Sequence, residues 1–168
     1  MTTSIVRSED PQDFATVRSL QVTAFGRREE AELVDRLRQQ GAVLSSFVAE
    51  TGNRIVGHIV FSRMWIDTPL VPIPAVALAP LAVLPEHQRQ GTGAQLIRHA
   101  LDELRQNGEA IVIVLGSPRY YQRFGFSTGK ARALISPFHP DAFMALELVP
   151  GVLDEVAGPV RYPSAFGL

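Results

Sequence analysis

The chain contains no cysteine, which excludes disulfides, thiolate metal sites and a cysteine nucleophile, and fits a reducing compartment. It has almost no net charge. Lys plus Arg is 16 and Asp plus Glu is 17, so no general field holds a polyanion such as duplex DNA, and any phosphate has to be held locally. Long hydrophobic runs are missing too. Val71 to Leu84 is the longest apolar stretch and is too short and too proline-rich to span a bilayer, while Met1 to Asp10 is polar with no apolar signal region. Of the histidines, His87, His99 and His139 have no metal-ligand spacing between them, so no metal is expected. From these absences we expect a cytoplasmic protein with no nucleic-acid partner and no membrane partner; whether it is a monomer or homodimer they do not decide. What the chain does have is 46% hydrophobic residues against 20% charged in 168 residues, enough for one packed core and therefore one domain spanning 1–168.

Patterning along the chain predicts a mixed α/β layer structure. Ile5 and Val6 suit a short first strand, and Asp10 precedes Pro11 as an N-cap precedes a proline at the first helical position. Phe14, Val17, Leu20, Val22 and Phe25 partly keep a helical period, and Glu29 to Gln40 reads as a second helix stopped by Gly41. Phe47 to Glu50 and Ile55 to Phe61 are β-rich runs whose joint, Thr51-Gly52-Asn53-Arg54, suits a tight hairpin. Ala75 to Leu84 is an apolar strand in which Pro80, having no N–H, marks an edge or bulge and a bend. Thr92 to Asn107 is an amphipathic helix with Ala94, Ile97, Leu101 and Leu104 inward, closed by Gly108. Ala110 to Leu115 has the continuous apolar pattern of a strand covered on both faces, which completes a parallel βαβ unit. Tyr120 to Phe124 is a short helical or turn segment. Phe143 to Val149 is a late strand in a tail, 136–168, that follows a core of about residues 1–135.

Between the bent strand and the amphipathic helix lies Gln88-Arg89-Gln90-Gly91-Thr92-Gly93-Ala94. A helix start leaves backbone N–H groups unpaired and carries partial positive charge, and Gly91 and Gly93 remove the Cβ atoms that would keep a diphosphate away. The plainer alternative is a sharp turn and nothing more. A dinucleotide fingerprint needs a third glycine where Leu96 stands, and a P-loop needs Gly-Lys-Ser/Thr, so neither fits.

This segment resembles the GNAT superfamily of coenzyme A-dependent N-acetyltransferases, whose signature Gln/Arg-x-x-Gly-x-Gly/Ala is met by Gln88, Gly91 and Gly93. The likeness continues in the two early helices, the hairpin, the bent strand and a Tyr-x-x-x-Gly-Phe segment at Tyr121, Gly125 and Phe126. Gly57-His58-Ile59, Pro80-Leu81-Ala82-Val83, Arg123-Phe124-Gly125-Phe126 and Glu147-Leu148-Val149-Pro150-Gly151 are similar to the YhbS-type branch of that superfamily. The resemblance implies a GNAT fold: a central, mostly antiparallel sheet with one bent strand, a parallel βαβ unit and helices on both faces. It implies acetyl-coenzyme A as cosubstrate and a primary amine of a small molecule or protein as acceptor.

Acetyl transfer needs the thioester held, its carbonyl polarised, the amine neutral and the leaving thiolate protonated. By the resemblance, the backbone of Leu81, Ala82 and Val83 pairs with the pantetheine arm, residues 88–94 hold the diphosphate, and Tyr121 protonates the thiolate, with adjacent Tyr120 as the alternative donor. Arg123 is matched to a coenzyme A phosphate, with a solvated charge as the other reading. The base is open. Many GNAT enzymes carry a Glu on the bent strand, whereas Ala75 to Leu84 has no ionisable residue. Glu50, His58 or a water chain remains, and the alternation Ile55, Gly57, Ile59, Phe61 turns His58 to the opposite face, as a structural histidine. The vacancy keeps a second hypothesis in play, a domain that binds coenzyme A without catalysis.

Overall fold

In a computed structural model, which describes residues 3–168, the fold begins with a polar lock at Asp10. The Asp10 carboxylate accepts from the Gln12 N–H at 3.0 Å, and Asp13 accepts from the Asp10 N–H at 2.7 Å, so two orphan donors of a helix start are satisfied reciprocally. The helix does not start directly at Pro11, however. A 3-10 turn, Pro11–Asp13, comes first and α1 runs over Phe14–Phe25. The remaining elements are β1 (Ile5–Ser8), α2 (Glu29–Gln39), β2 (Val43–Thr51), β3 (Arg54–Asp67), β4 (Pro72–Val83), α3 (Thr92–Gln106), β5 (Ile111–Leu115), α4 (Pro118–Tyr121), β6 (Leu134–Ile135), β7 (Phe143–Glu147) and β8 (Gly158–Arg161). Gly52 at φ 56° and Asn53 at φ 63° form the left-handed pair that the β2–β3 hairpin requires to match strand twist.

Strand order is β1-β2-β3-β4-β5-β7, with β8 pairing both β3 and β6. β1 is antiparallel to β2 from Ile5↔Glu50 to Ser8↔Phe47, and β7 is antiparallel to β5 from Ile111↔Glu147 to Leu115↔Phe143. The parallel pair is β4–β5, with Val76↔Val112 through Leu78↔Val114, which makes α3 a crossover helix. β4 is thus an interior strand, so of the two expectations for Pro80, an edge or a bulge, the edge is corrected; the pairing of β4 with β5 ends at Leu78, two residues before it. The Ala79–Pro80 peptide is cis.

The described chain falls into two compact units. The first holds the chain up to Phe61 with Ala79–Ala100. Consecutive β3 residues here meet helices on opposite sides. A Cβ at Gly57 would lie 2.9 Å from Leu96 Cδ1 and 3.2 Å from Thr92 Cγ2 of α3, while His58 reaches Gln21 of α1. Only glycine lets α3 approach β3 so closely. Ala94 and Ile97 of this unit are buried, as are Leu101 and Leu104 of the second, as the helical period requires.

The second unit holds Ser62–Leu78 with Leu101–Leu168. Its core includes Met64, Ile66, Ile111, Ile113, Phe143 and Ala145. β3 extends to Asp67, beyond the Ile55 to Phe61 expected, because Trp65 and Ile66 pair with Arg161 and Val160 of β8. At Gly158, φ 145°, a Cβ would stand 2.3 Å from the Asp67 carbonyl oxygen, so a bare backbone is what allows β8 to close on β3. Among the described residues, no helix is long and apolar enough to cross a membrane.

Candidate functional site

The loop between β4 and α3 is held by its own side chains. The Gln88 amide donates to the Val83 carbonyl at 2.9 Å and the Gln90 amide to the Glu86 carbonyl at 3.1 Å, so both brace the turn. Arg89 at φ 61° and Gly91 at φ 88° then turn the backbone through the left-handed region. Backbone that changes hand in this way is one route by which main-chain N–H groups are brought together to face an anion. In the first turn of α3, Thr92, Gly93 and Ala94 have no preceding helical carbonyl to bond, and the first such bond is Gln95 N–H to Gly91 O at 2.9 Å. A Cβ on Gly91 would meet nothing within 4 Å, so the space over the loop is open and glycine is required there by φ alone. Thr92 and Ala94 are buried with their side chains turned inward, so both offer a ligand main chain only.

At the end of β4, Ala82 and the next residue, Leu84, are buried while Leu81 and Val83 are half-exposed, the period-2 pattern of a strand with one face covered. Of the segment's groups, only the main chain is polar.

Tyr120 and Tyr121, the last two residues of α4, both donate their N–H to the Ser117 carbonyl, at 3.1 and 3.0 Å. Their environments differ. Burial, with a smaller contribution from Tyr120, pushes the Tyr121 phenol up to about 12, so it is protonated at neutral pH and holds a proton to give. Its ring meets Tyr120 edge-on at 5.0 Å and Phe126 at 5.8 Å. Arg123 donates from Nε to the Tyr120 carbonyl at 3.2 Å and stacks over the Tyr120 ring at 4.5 Å. It is an exposed cation that also caps Tyr120.

Both side chains considered as bases are committed elsewhere. Glu50 accepts from Arg7 at 2.7 and 3.1 Å, and Arg7 also holds Asp13 at 2.8 Å. His58 is fully buried. Gln21 Nε2 donates to its Nδ1 at 2.8 Å, which leaves the Nε2 proton facing Glu9 at an ion-pair distance of 3.1 Å. Glu9 in turn accepts from Arg38 at 2.6 Å and from the Ser46 hydroxyl at 2.9 Å. Residues Glu9, Gln21 and Arg38 carried no motif, and the network they build is visible only once β1, α1, α2 and β3 are assembled.

Burial alone would raise the Glu9 carboxyl, but His58 and Arg38 beside it outweigh that and hold it below the usual 4.5. A carboxyl lowered by folding contributes stability above its unfolded pKa, and that stability is lost as the pH falls through the folded value. The wild-type Tm is therefore expected to fall more steeply below about pH 4.5 than that of Glu9→Gln, which has no carboxyl to protonate there. Parallel acid limbs in thermal melts of the two proteins would contradict this.

The chain was compared with known proteins. A family model described as Acetyltransferase (GNAT) domain matches residues 6–129. The chain is 33% identical over 165 residues to YhbS, an uncharacterised N-acetyltransferase of Escherichia coli (strain K12), covering 96% of this chain and 98% of that protein. It is 40% identical over 123 residues to YjhQ, another uncharacterised N-acetyltransferase of the same strain, covering 70% of this chain and 66% of that protein's length. The fold superposes on the crystal structure of Escherichia coli YhbS in complex with CoA with a TM-score of 0.91 at 32% identity, covering 100% of this chain and 94% of that one. A GNAT family acetyltransferase from Brucella melitensis in complex with acetyl-CoA gives 0.82 at 34% identity, covering 99% of each chain.

Proposed function

Because the chain belongs to the GNAT acetyltransferase family, an acyltransferase family, we propose that it passes the acetyl group of acetyl-CoA to a primary amine by direct attack in a ternary complex. The observation that carries this reading is the loop of residues 88–94, left-handed at Arg89 and Gly91 with open space over Gly91 at the start of α3, together with relatives crystallised with CoA and acetyl-CoA. In this reading the N–H groups of Arg89 to Ala94 hold the diphosphate, and Gln88 and Gln90 keep the loop in shape for it. The main chain of Leu81, Ala82 and Val83 pairs with the pantetheine arm. Tyr121 gives its phenolic proton to the departing thiolate, and Arg123 supplies a phosphate contact at the surface. With Glu50 paired to Arg7 and His58 enclosed with Glu9 and Gln21, water carries the proton away from the amine.

Those same internal pairings favour one second reading, a domain that binds CoA and turns nothing over. Two measurements separate the possibilities. Acetyl-CoA is expected to raise the Tm, because a ligand at about 100 times its Kd stabilises the folded state by roughly 2.7 kcal/mol, whereas NAD and ATP at equal concentration do so much less. An assay of acetyl transfer to a panel of amines then tests turnover. Absence of a Tm shift with CoA or acetyl-CoA would sink both readings, and a shift without transfer to any amine would leave only the second.

A further inference from the structure

We propose that Gly116 is a positioning residue for the acid: lacking a Cβ, it lets the Tyr121 ring lie directly against the main chain at the end of β5. The inference rests on the reading of Tyr121 as the thiolate's proton donor. A Cβ built on Gly116 would stand 2.5 Å from Tyr121 Cε2, 3.1 Å from Cδ2 and 3.6 Å from Cζ. The backbone there is not left-handed, unlike that of Gly125 at φ 98°, so conformation does not require glycine at this position and only the ring does.

Neither partner is free to yield. On one side Gly116 follows the last β5 pair, Leu115↔Phe143, and donates its N–H to the Ala142 carbonyl at 3.0 Å. On the other, the Tyr121 N–H is held on Ser117 and the ring is wedged between Tyr120 and Phe126. Tyr120 is backed by Phe124 at 5.5 Å and by the Arg123 guanidinium, so a shift of the ring toward Tyr120 has to displace that stack. Relieving a 2.5 Å approach to ordinary carbon contact near 3.5 Å displaces the ring by about 1 Å, a misplacement that costs on the order of 10²-fold in rate when the group is catalytic.

The test is a double-mutant cycle. Gly116→Ala is expected to lower kcat about 10²-fold while leaving the KM for acetyl-CoA nearly unchanged. The Gly116→Ala/Tyr121→Phe variant is expected to be no slower than Tyr121→Phe, because a residue that acts through a hydroxyl has nothing left to position once that hydroxyl is gone. Losses that multiply, or a Gly116→Ala enzyme with wild-type kcat beside an impaired Tyr121→Phe, overturn the positioning role and leave the acid assignment standing. A silent Tyr121→Phe overturns the acid assignment and this inference with it. If Gly116→Ala folds too poorly for kinetics, its Tm is compared in the Tyr121→Leu background: recovery there supports the contact, and an undiminished loss overturns it.

Discussion

Tyr121→Phe is expected to lower turnover by about 10²- to 10⁴-fold with little change in acetyl-CoA affinity, the range typical for losing a general acid. Phenylalanine keeps the ring, its edge-on contacts with Tyr120 and Phe126 and its fit against Gly116, so a loss of rate without a loss of binding isolates the hydroxyl. Burial raises the phenol to about 12, so Tyr121 carries its proton at neutral pH, as a group that is to give one must. Tyr120→Phe is the internal control. Its ring is stacked under Arg123, and removing its hydroxyl should leave kcat near wild type. If Tyr120→Phe carries the defect and Tyr121→Phe does not, the acid is the neighbouring residue. Full turnover in both single variants and in the double variant would show that water protonates the thiolate.

Gly93→Glu is expected to abolish CoA binding, measured by calorimetry or by loss of the acetyl-CoA Tm shift, while the ligand-free Tm stays level or rises. The two effects have opposite signs for a physical reason. Glycine inside a helix costs about 0.5–1 kcal/mol relative to alanine, and a carboxylate in the first turn of a helix is stabilising by about 0.3–1 kcal/mol. The same carboxylate, placed where a diphosphate should sit, repels it and occupies its space. The substitution therefore separates binding from folding in one variant. Gly91 is the poorer site for this experiment, since at φ 88° any side chain strains the backbone whatever its charge. A Gly93→Glu protein that binds CoA normally would move the cradle elsewhere in the chain.

The local elements were legible because each rests on interactions between near neighbours in sequence. Asp10 marks a helix entry by its side-chain cap and Pro11 by its fixed φ, while Gly41 and Gly108 mark two exits and Gly52-Asn53 a hairpin through left-handed backbone that few other residues adopt. The burial of Ala94, Ile97, Leu101 and Leu104 follows from a 3.6-residue period. β6 and β8 were not legible. One, at two residues, is too short to show a pattern and the other opens Gly158-Pro159, which lacks strand composition, and each exists because a distant partner supplies its ladder.

The site divides along the same line. Sequence by itself determined the family, the signature at Gln88, Gly91 and Gly93, and the absence of any carboxylate between Ala75 and Leu84, because these depend on residue types at fixed spacing. Tertiary structure alone decided that Gln88 and Gln90 brace their own loop, that Glu50 belongs to Arg7, and that His58 is enclosed by Glu9 and Gln21. It also decided that a glycine five residues before Tyr121 makes room for its ring. Whether a charged or polar side chain is free for chemistry depends on which partners the fold brings within about 3 Å of it, and for Glu50 and His58 those partners lie 37 to 49 residues away along the chain.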